Sequence, residues 1–386
     1  MIANSSKKFS NKKIVFMVPD IDIGGIEINT LNFCNNLVDQ HADITVIYER
    51  VSNLNLKKKF DKRVNFLNMG SSRMIYLFWR YLRIFRNEKP DFVITSSFSI
   101  LFNLFLTKIL SAQNFKIIFK IETNFKEYLS NKGFIFDRLL YKFFSYTVFK
   151  NINLIICSSR SLAESVKEEF NNTLNEKIIY IYNPVITDKD RQKRGTVIHK
   201  FFDSHLPETI KLISVGRLIP SKGYSGLISI MERLIKDASN KDFKLLIVGE
   251  GIEKNNLWAL IKEKKLESNI DIISFNDHFI DYIFQSDIYI SNSEFEGLNN
   301  NIIHALKQGK HVISTDCEFG PREILKNGEY GSLVPLRSEQ AMVDKILEIA
   351  NLPLSERMQF DHLQEWAEEF SAEKNSEKLL NAIKLI

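Results

Sequence analysis

The sequence predicts an α/β chain of two similar domains, each built on a parallel sheet covered by helices on both faces. Three observations predict it. Short apolar runs rich in β-branched and aromatic residues alternate with segments long enough to be helices. This rhythm stops and restarts across a polar stretch after Asn183-Pro184. The length, 386 residues of which 44% are hydrophobic, suits two domains of ordinary size with substantial cores. Strands alternating with helices imply parallel pairing, because the crossover helices cover both faces of the sheet.

Taken in order, the first strand is expected at residues 14–18. It is followed by a Gly24-Gly25 turn and by Ile28, Leu31, Phe33, Cys34, Leu37 and Val38 at helical spacing. Further strands are expected at residues 44–48, 92–95, 116–121 and 154–158. A linker is expected near residues 184–205, and the second set of strands at 210–215, 243–248, 270–275, 288–291 and 311–314. These readings give domains at 1–185 and 186–369. Residues 370–386 follow as an amphipathic helix carrying Leu379, Leu380, Ile383 and Leu385.

Composition narrows the class. Cys34, Cys157 and Cys317 are far apart and odd in number, without metal-ligand spacing, which fits a reducing compartment. The start of the chain is polar and basic, and its first apolar run is too short for a signal-peptide core or a membrane span, so a cytoplasmic protein is expected. Residues 1–185 carry 26 Lys plus Arg against 16 Asp plus Glu, whereas the remainder carries 26 against 31. A basic first half points to ordinary surface charge or to an anionic partner. No recognition motif accompanies the charge, which disfavours nucleic acid. Residues 73–86, RMIYLFWRYLRIFR, mix aromatics with cations at helical spacing, and Lys57-Lys58-Lys59 lies nearby. A helix resting on anionic lipid would look like this, and so would one buried on one side with snorkelling cations.

Four segments lie at expected strand ends, where open parallel sheets bind ligands. Gly216-Arg217-Leu218-Ile219-Pro220-Ser221-Lys222-Gly223 places two cations and two glycines in one loop before a helix, an arrangement for a diphosphate or for solvated charges. Ser293-Glu294-Phe295-Glu296-Gly297-Leu298-Asn299-Asn300-Asn301 brings a carboxylate and asparagines to a helix start, where they bind a polar sugar or simply cap the helix. Gly249-Glu250-Gly251 ends a strand as a nucleotide-approach turn would, and residues 314–325 run from a strand into a helix with Pro321 in its first turn.

Together with Gly24-Gly25-Ile26-Glu27, Tyr182-Asn183-Pro184-Val185 and residues 328–335, these segments, in this order and spacing, resemble family 4 of the retaining glycosyltransferases, especially bacterial surface-polysaccharide members. The resemblance spans almost the whole chain. It implies the GT-B fold, two Rossmann-like domains facing across a cleft, with the last helix crossing back to the first domain. It further implies that Arg217 and Lys222, with Gly216, bind the donor diphosphate. Glu296, Gly297, Leu298, Asn299 and Asn300 would hold the sugar, Gly25 would close over the phosphates, and Gly249, Glu250, Ser274 and Phe275 would surround the base. Two positions depart from the pattern. His304, separated by seven residues from Glu296, stands in the place of a second glutamate that usually holds the ribose. Lys120-Ile121-Glu122-Thr123-Asn124 stands where many members have a histidine, which places Glu122 near the reacting sugar.

The implied reaction transfers a hexose or N-acetylhexosamine from a UDP-sugar to a glycan or lipid-linked acceptor, as in lipopolysaccharide or capsule synthesis, with retention and without metal or cofactor. Arg217 and Lys222 would stabilise the leaving diphosphate. The expected partners are the nucleotide-sugar, the acceptor and an anionic membrane surface on the inner face of the cytoplasmic membrane. A GDP-mannose-dependent transferase, a non-catalytic sugar-nucleotide-binding protein and an epimerase are the alternatives.

Overall fold

Strand β1 (Lys13–Ile21) is buried along residues 14–18 on both faces, the mark of a strand at the centre of a parallel sheet. The computed structural model describes residues 12–22, 24–70, 74–111, 114–122, 145–192, 197, 199–202, 209–237, 241–353, 356 and 361–386, without the side chains of residues 74–78 and 111. Arg73, Thr123, Asn124 and parts of the linker lie outside these. The chain divides into two compact units, one of residues 1–185 with 371–386 and the other of residues 186–370.

In the first unit β1 is joined by β2 (Asp43–Val51), β3 (Asn65–Asn68), β4 (Phe92–Thr95), β5 (Lys116–Ile121), β6 (Leu154–Cys157) and β7 (Ile178–Tyr180). Their order is β3-β2-β1-β4-β5-β6-β7 and every pairing is parallel. Ile14, Phe16 and Val18 share a core with Leu31, Cys34, Leu37 and Val38 of the helix Gly25–Asp39. Leu379, Leu380 and Ile383 of the helix Ala372–Lys384 complete the same core. Burying each of these three is worth roughly 2 kcal/mol. The helices Met74–Glu88 and Phe98–Ser111 pack on each other.

The second unit carries β8 (Ile210–Val215), β9 (Phe243–Val248), β10 (Ile270–Ile273), β11 (Ile288–Ser291), β12 (His311–Thr315) and β13 (Ser332–Val334), all parallel, in the order β10-β9-β8-β11-β12-β13. The helix Tyr224–Asp237 places Leu227, Ile230, Met231 and Leu234 in one core with Leu212, Leu245 and Ile247.

Three strands were not anticipated, β3, β7 and β13, and each lies at a sheet edge. β7 and β13 are three residues long, too short to show a period, and β3, Asn65-Phe66-Leu67-Asn68, is half polar and has no buried residue. β10 ends at Ile273, which moves Ser274 and Phe275 from the strand into the loop that follows.

Candidate active site

The strand order of the second sheet reverses direction between β8 and β11, the kind of place where open parallel sheets take ligands. Residues 216–223 and 292–299 leave the sheet there. Gly223 has φ +65°, and a Cβ on it would come 2.1 Å from the Asn292 carbonyl oxygen, so backbone conformation and space both demand glycine. Asn292 Nδ2 donates to the Gly223 carbonyl at 2.8 Å, and the Glu294 N–H to the Ser221 carbonyl at 2.8 Å. The two loops are thereby stitched together.

That stitching brings Lys222 to Glu296. Lys222 Nζ lies 2.6 and 2.7 Å from the two carboxylate oxygens. Ser293 Oγ donates to Glu296 Oε1 at 2.7 Å and Asn299 Nδ2 to the same oxygen at 2.9 Å. Asn299 Oδ1 accepts the Asn301 N–H at 3.1 Å and so caps the helix Asn300–Lys307. One asparagine therefore serves both capping and the carboxylate. Gly297 and Leu298 are buried behind this cluster, and Gly320, at φ +84°, packs within 2.8 Å of the Gly297 carbonyl when given a Cβ. Burial, reinforced by the Glu296 charge, pushes the Cys317 thiol up to about 12.

Arg217 is exposed and, among the described residues, makes no ion pair or side-chain hydrogen bond. A Cβ on Gly249 would fall 1.9 Å from the Gly216 carbonyl oxygen, so the ends of β8 and β9 are in close backbone contact. Beside them Lys254 Nζ bonds Glu250 Oε1 at 3.0 Å and Ser274 Oγ at 3.1 Å. Its bond to Ser274, then the Lys254 ammonium, hold the Glu250 carboxyl below its ordinary value. Lys254, the first residue of the helix Lys254–Glu263, reaches back to the strand-end loop that carries Glu250. Phe275 is half-buried and stacks at a tilt on Phe279 at 4.9 Å between centroids.

His304 is not bonded to the Lys222–Glu296 cluster. Its Nδ1 lies 3.1 Å from Asp190 Oδ1, and its ring meets Phe279 edge-on at 5.2 Å. Burial alone would raise the Asp190 carboxyl, but His304 and the two bonds from Thr187 outweigh it and hold the carboxyl low.

In the first unit the strand order reverses between β1 and β4. A small recess there is lined by Val18, Thr30, Phe33, Thr95, Lys120 and Glu122. Lys120 and Glu122 form an ion pair with 6% of each side chain exposed. Lys120 Nζ also donates to Asn183 Oδ1 at 2.8 Å and sits 5.2 Å from the Phe33 ring centre, while Asn29 Nδ2 donates to Glu122 Oε2 at 3.2 Å. Gly25 opens the helix Gly25–Asp39, and a Cβ there would meet nothing within 4 Å. Among the described residues no helix is long and apolar enough to cross a membrane.

Comparison with known proteins covers both units. Residues 23–189 match the model described as Glycosyltransferase Family 4, and residues 198–364 that described as Glycosyl transferases group 1. Over 256 residues the chain is 32% identical to an uncharacterised glycosyltransferase of Methanocaldococcus jannaschii, covering 64% of this chain and 61% of that protein. Over 207 residues it is 30% identical to the N-acetylgalactosamine-N,N'-diacetylbacillosaminyl-diphospho-undecaprenol 4-alpha-N-acetylgalactosaminyltransferase of Campylobacter jejuni, covering 54% of this chain and 53% of that one. The matches thus span about three-fifths and half of those relatives' lengths. The crystal structure of Anabaena HepE in complex with UDP-glucose superposes with a TM-score of 0.76 at 15% identity, over 97% of this chain and 100% of that one, a likeness of fold. Matched in both units by these models and built on two parallel sheets, the chain belongs to glycosyltransferase family 4 and has the GT-B fold.

Proposed function

We propose that this protein is a retaining, metal-independent glycosyltransferase that moves a hexose or N-acetylhexosamine from a UDP-sugar to a glycan or lipid-linked acceptor of a bacterial surface polysaccharide, at the inner face of the cytoplasmic membrane. The observation that carries this reading is the Lys222–Glu296 pair at the reversal point of the second sheet, with Arg217 exposed on the same loop as Lys222 and uncommitted among the described residues. In the free protein Glu296 parks the Lys222 ammonium. A donor diphosphate draws that ammonium away with its greater charge, and Arg217 grips the phosphate oxygens. Glu296 is then released to accept hydroxyl donors of the sugar, assisted by the N–H groups around Gly297 to Asn300.

The remaining assignments follow the same loops. Gly216 and Gly25 admit the phosphates closely, Gly249, Glu250, Ser274 and Phe275 surround the base, and His304, whose Nδ1 lies 3.1 Å from Asp190, offers Nε2 to a ribose hydroxyl. The first unit provides the acceptor with the Glu122 carboxylate. In the reaction the acceptor oxygen bonds the anomeric carbon on the face the diphosphate leaves, a departing phosphate oxygen takes the acceptor proton, and the two cations stabilise the developing charge. The Campylobacter relative's name, with its diphospho-undecaprenol acceptor, and the UDP-glucose in the Anabaena structure support the lipid-linked acceptor and the uridine donor.

The test is a thermal-shift series with UDP-glucose, UDP-galactose, their N-acetyl forms and GDP-mannose, followed by NMR of the product's anomeric configuration with and without EDTA. A UDP-sugar should raise the melting temperature, since it binds the native state alone. A shift with GDP-mannose only overturns the uridine assignment. Inversion, or loss of turnover with EDTA, overturns the mechanism, and binding without transfer or hydrolysis makes the protein a sugar-nucleotide binder.

A further inference from the structure

The recess at the reversal point of the first sheet is small and has two kinds of wall. It offers about 10 Å³ to the centre of a water-sized group, room for one small group. Phe16, Phe33 and Ile94 line it and are 4%, 2% and 3% exposed, whereas Ser96 is half-buried and marks its mouth. Hydrogen-bonding capacity is left over on the lining. Ser96 Oγ makes no hydrogen bond among the described residues. Glu122 accepts one bond from Lys120 and one from Asn29, two of the roughly four that a carboxylate can take. Thr30 and Thr95, by contrast, already donate to the carbonyls of Ile26 and Met17. Ser96 follows β4 and Glu122 follows β5, neighbouring strands whose register sets Thr95 beside Phe119. One free donor and one held carboxylate therefore flank an apolar hollow from adjacent strand ends.

We propose that this recess takes the acetamido group of an N-acetylated acceptor sugar. The inference deepens the reading above and rests on it in that the first unit receives the acceptor. The methyl carbon fills the space against Phe16, Phe33 and Ile94, the amide N–H donates to Glu122, and the amide oxygen accepts from Ser96 Oγ. A trans amide points its N–H and C=O to opposite sides, as two partners on adjacent strand ends require. Because Lys120 and Asn29 already hold Glu122, its carboxylate meets the ligand without first being ordered. Other small groups each leave something unmatched. A hydroxyl in the hollow exchanges water for aromatic and aliphatic carbon. The methyl of a 6-deoxyhexose fills the hollow but leaves Ser96 and Glu122 without new partners. A protonated amine satisfies Glu122 but is repelled by the Lys120 ammonium on the same carboxylate.

The experiment is saturation-transfer NMR on the full chain in excess UDP, which keeps the sugars out of the donor site. The probes are the methyl glycosides of N-acetylglucosamine, N-acetylgalactosamine, glucose, galactose, glucosamine and fucose. Saturation is expected for the N-acetyl sugars alone, strongest at the acetyl methyl protons. Lengthening the acetyl to a propionyl group adds a methylene the recess does not hold and should weaken binding roughly tenfold; Ile94→Val, which removes a methylene from the lining, should recover most of that loss. Ser96→Ala should weaken binding of the N-acetyl sugars about fivefold, the effect of one hydrogen bond. Ser96→Leu closes the mouth and should abolish binding at an unchanged melting temperature. Should Ile94→Val unfold, the two Ser96 variants still decide. Equal saturation of sugars without an acetamide, a signal carried by the fucose methyl, no signal from any sugar, propionyl bound as well as acetyl, or undiminished binding by folded Ser96→Leu overturns the proposal. A response to UDP-sugars with no acetamide signal removes this recess alone, whereas an acetamide signal with no response to any nucleotide-sugar counts against the proposed function and leaves the recess standing.

Discussion

Each sheet of this protein carries a lysine–glutamate pair near the point where its strand order reverses, and the two pairs are built in different ways. Lys120 and Glu122 stand two residues apart at the end of one strand, so the backbone alone puts them on one side, and Asn29 and Asn183 close over them. Lys222 and Glu296 come from separate loops and meet only because Gly223 lets those loops touch. The first pair is almost wholly buried; in the second, 19% of the Lys222 side chain remains exposed. A pair fixed by its own strand serves as a rigid support. One assembled from two loops can be taken apart by a ligand.

Turnover separates them most. Lys222→Ala and Arg217→Ala should each lower kcat by roughly 10²-fold or more, the usual cost of removing one group that stabilises developing charge. Both proteins should stay folded. Near-normal turnover in either would break the contrast. Stability should rank the pairs the other way: Lys120→Met strands a buried carboxylate with Asn29 as its remaining donor and should cost about 3 kcal/mol in urea unfolding, whereas Lys222→Met should cost less, about 2 kcal/mol, because Ser293 and Asn299 still donate to its partner. Equal losses would mean that the two pairs are alike. Gly223→Ala, forcing a Cβ against the Asn292 carbonyl, should cost about 2 kcal/mol and also weaken the UDP-induced thermal shift.

The smallest effect is expected at Asp190. Its folded carboxyl is held low, so the stabilisation it provides is complete above the unfolded value, about 3.9, and is lost as pH falls through the lower folded value. Unfolding midpoints measured from neutral pH downward should therefore fall in acid, and Asp190→Asn should flatten that fall. An unchanged acid slope would remove Asp190 as a contributor.

Much of this was readable from the chain. Central strands such as β8 and β9 announce themselves because both faces are buried and nearly every residue is apolar. The loops after β8 and β11 were legible because glycine, cations and asparagines cluster at strand ends. Three short edge strands were not, β3 because partial burial leaves a mixed sequence at Asn65–Asn68, β7 and β13 because three residues are too few to show a period, whereas the edge strand β10 was. The engagement of His304 with Asp190 had no sequence signal at all: the residues lie in distant segments and meet only through packing. The Lys120–Glu122 pair was visible in principle, from two residues on one side of a strand end, but nothing local distinguishes an ion pair there from two separate charges.

The first unit is not continuous in sequence. Its core is finished by Leu379, Leu380 and Ile383, contributed after the entire second unit has been threaded through the chain. During synthesis the second unit has all its residues available as soon as Phe370 emerges, while the first, though begun earlier, waits for the helix Ala372–Lys384 with an apolar flank uncovered. A nascent chain stalled before that helix would leave the flank of the helix Gly25–Asp39 that it covers open to chaperones and proteases, so the part made first is completed only when the helix Ala372–Lys384 docks.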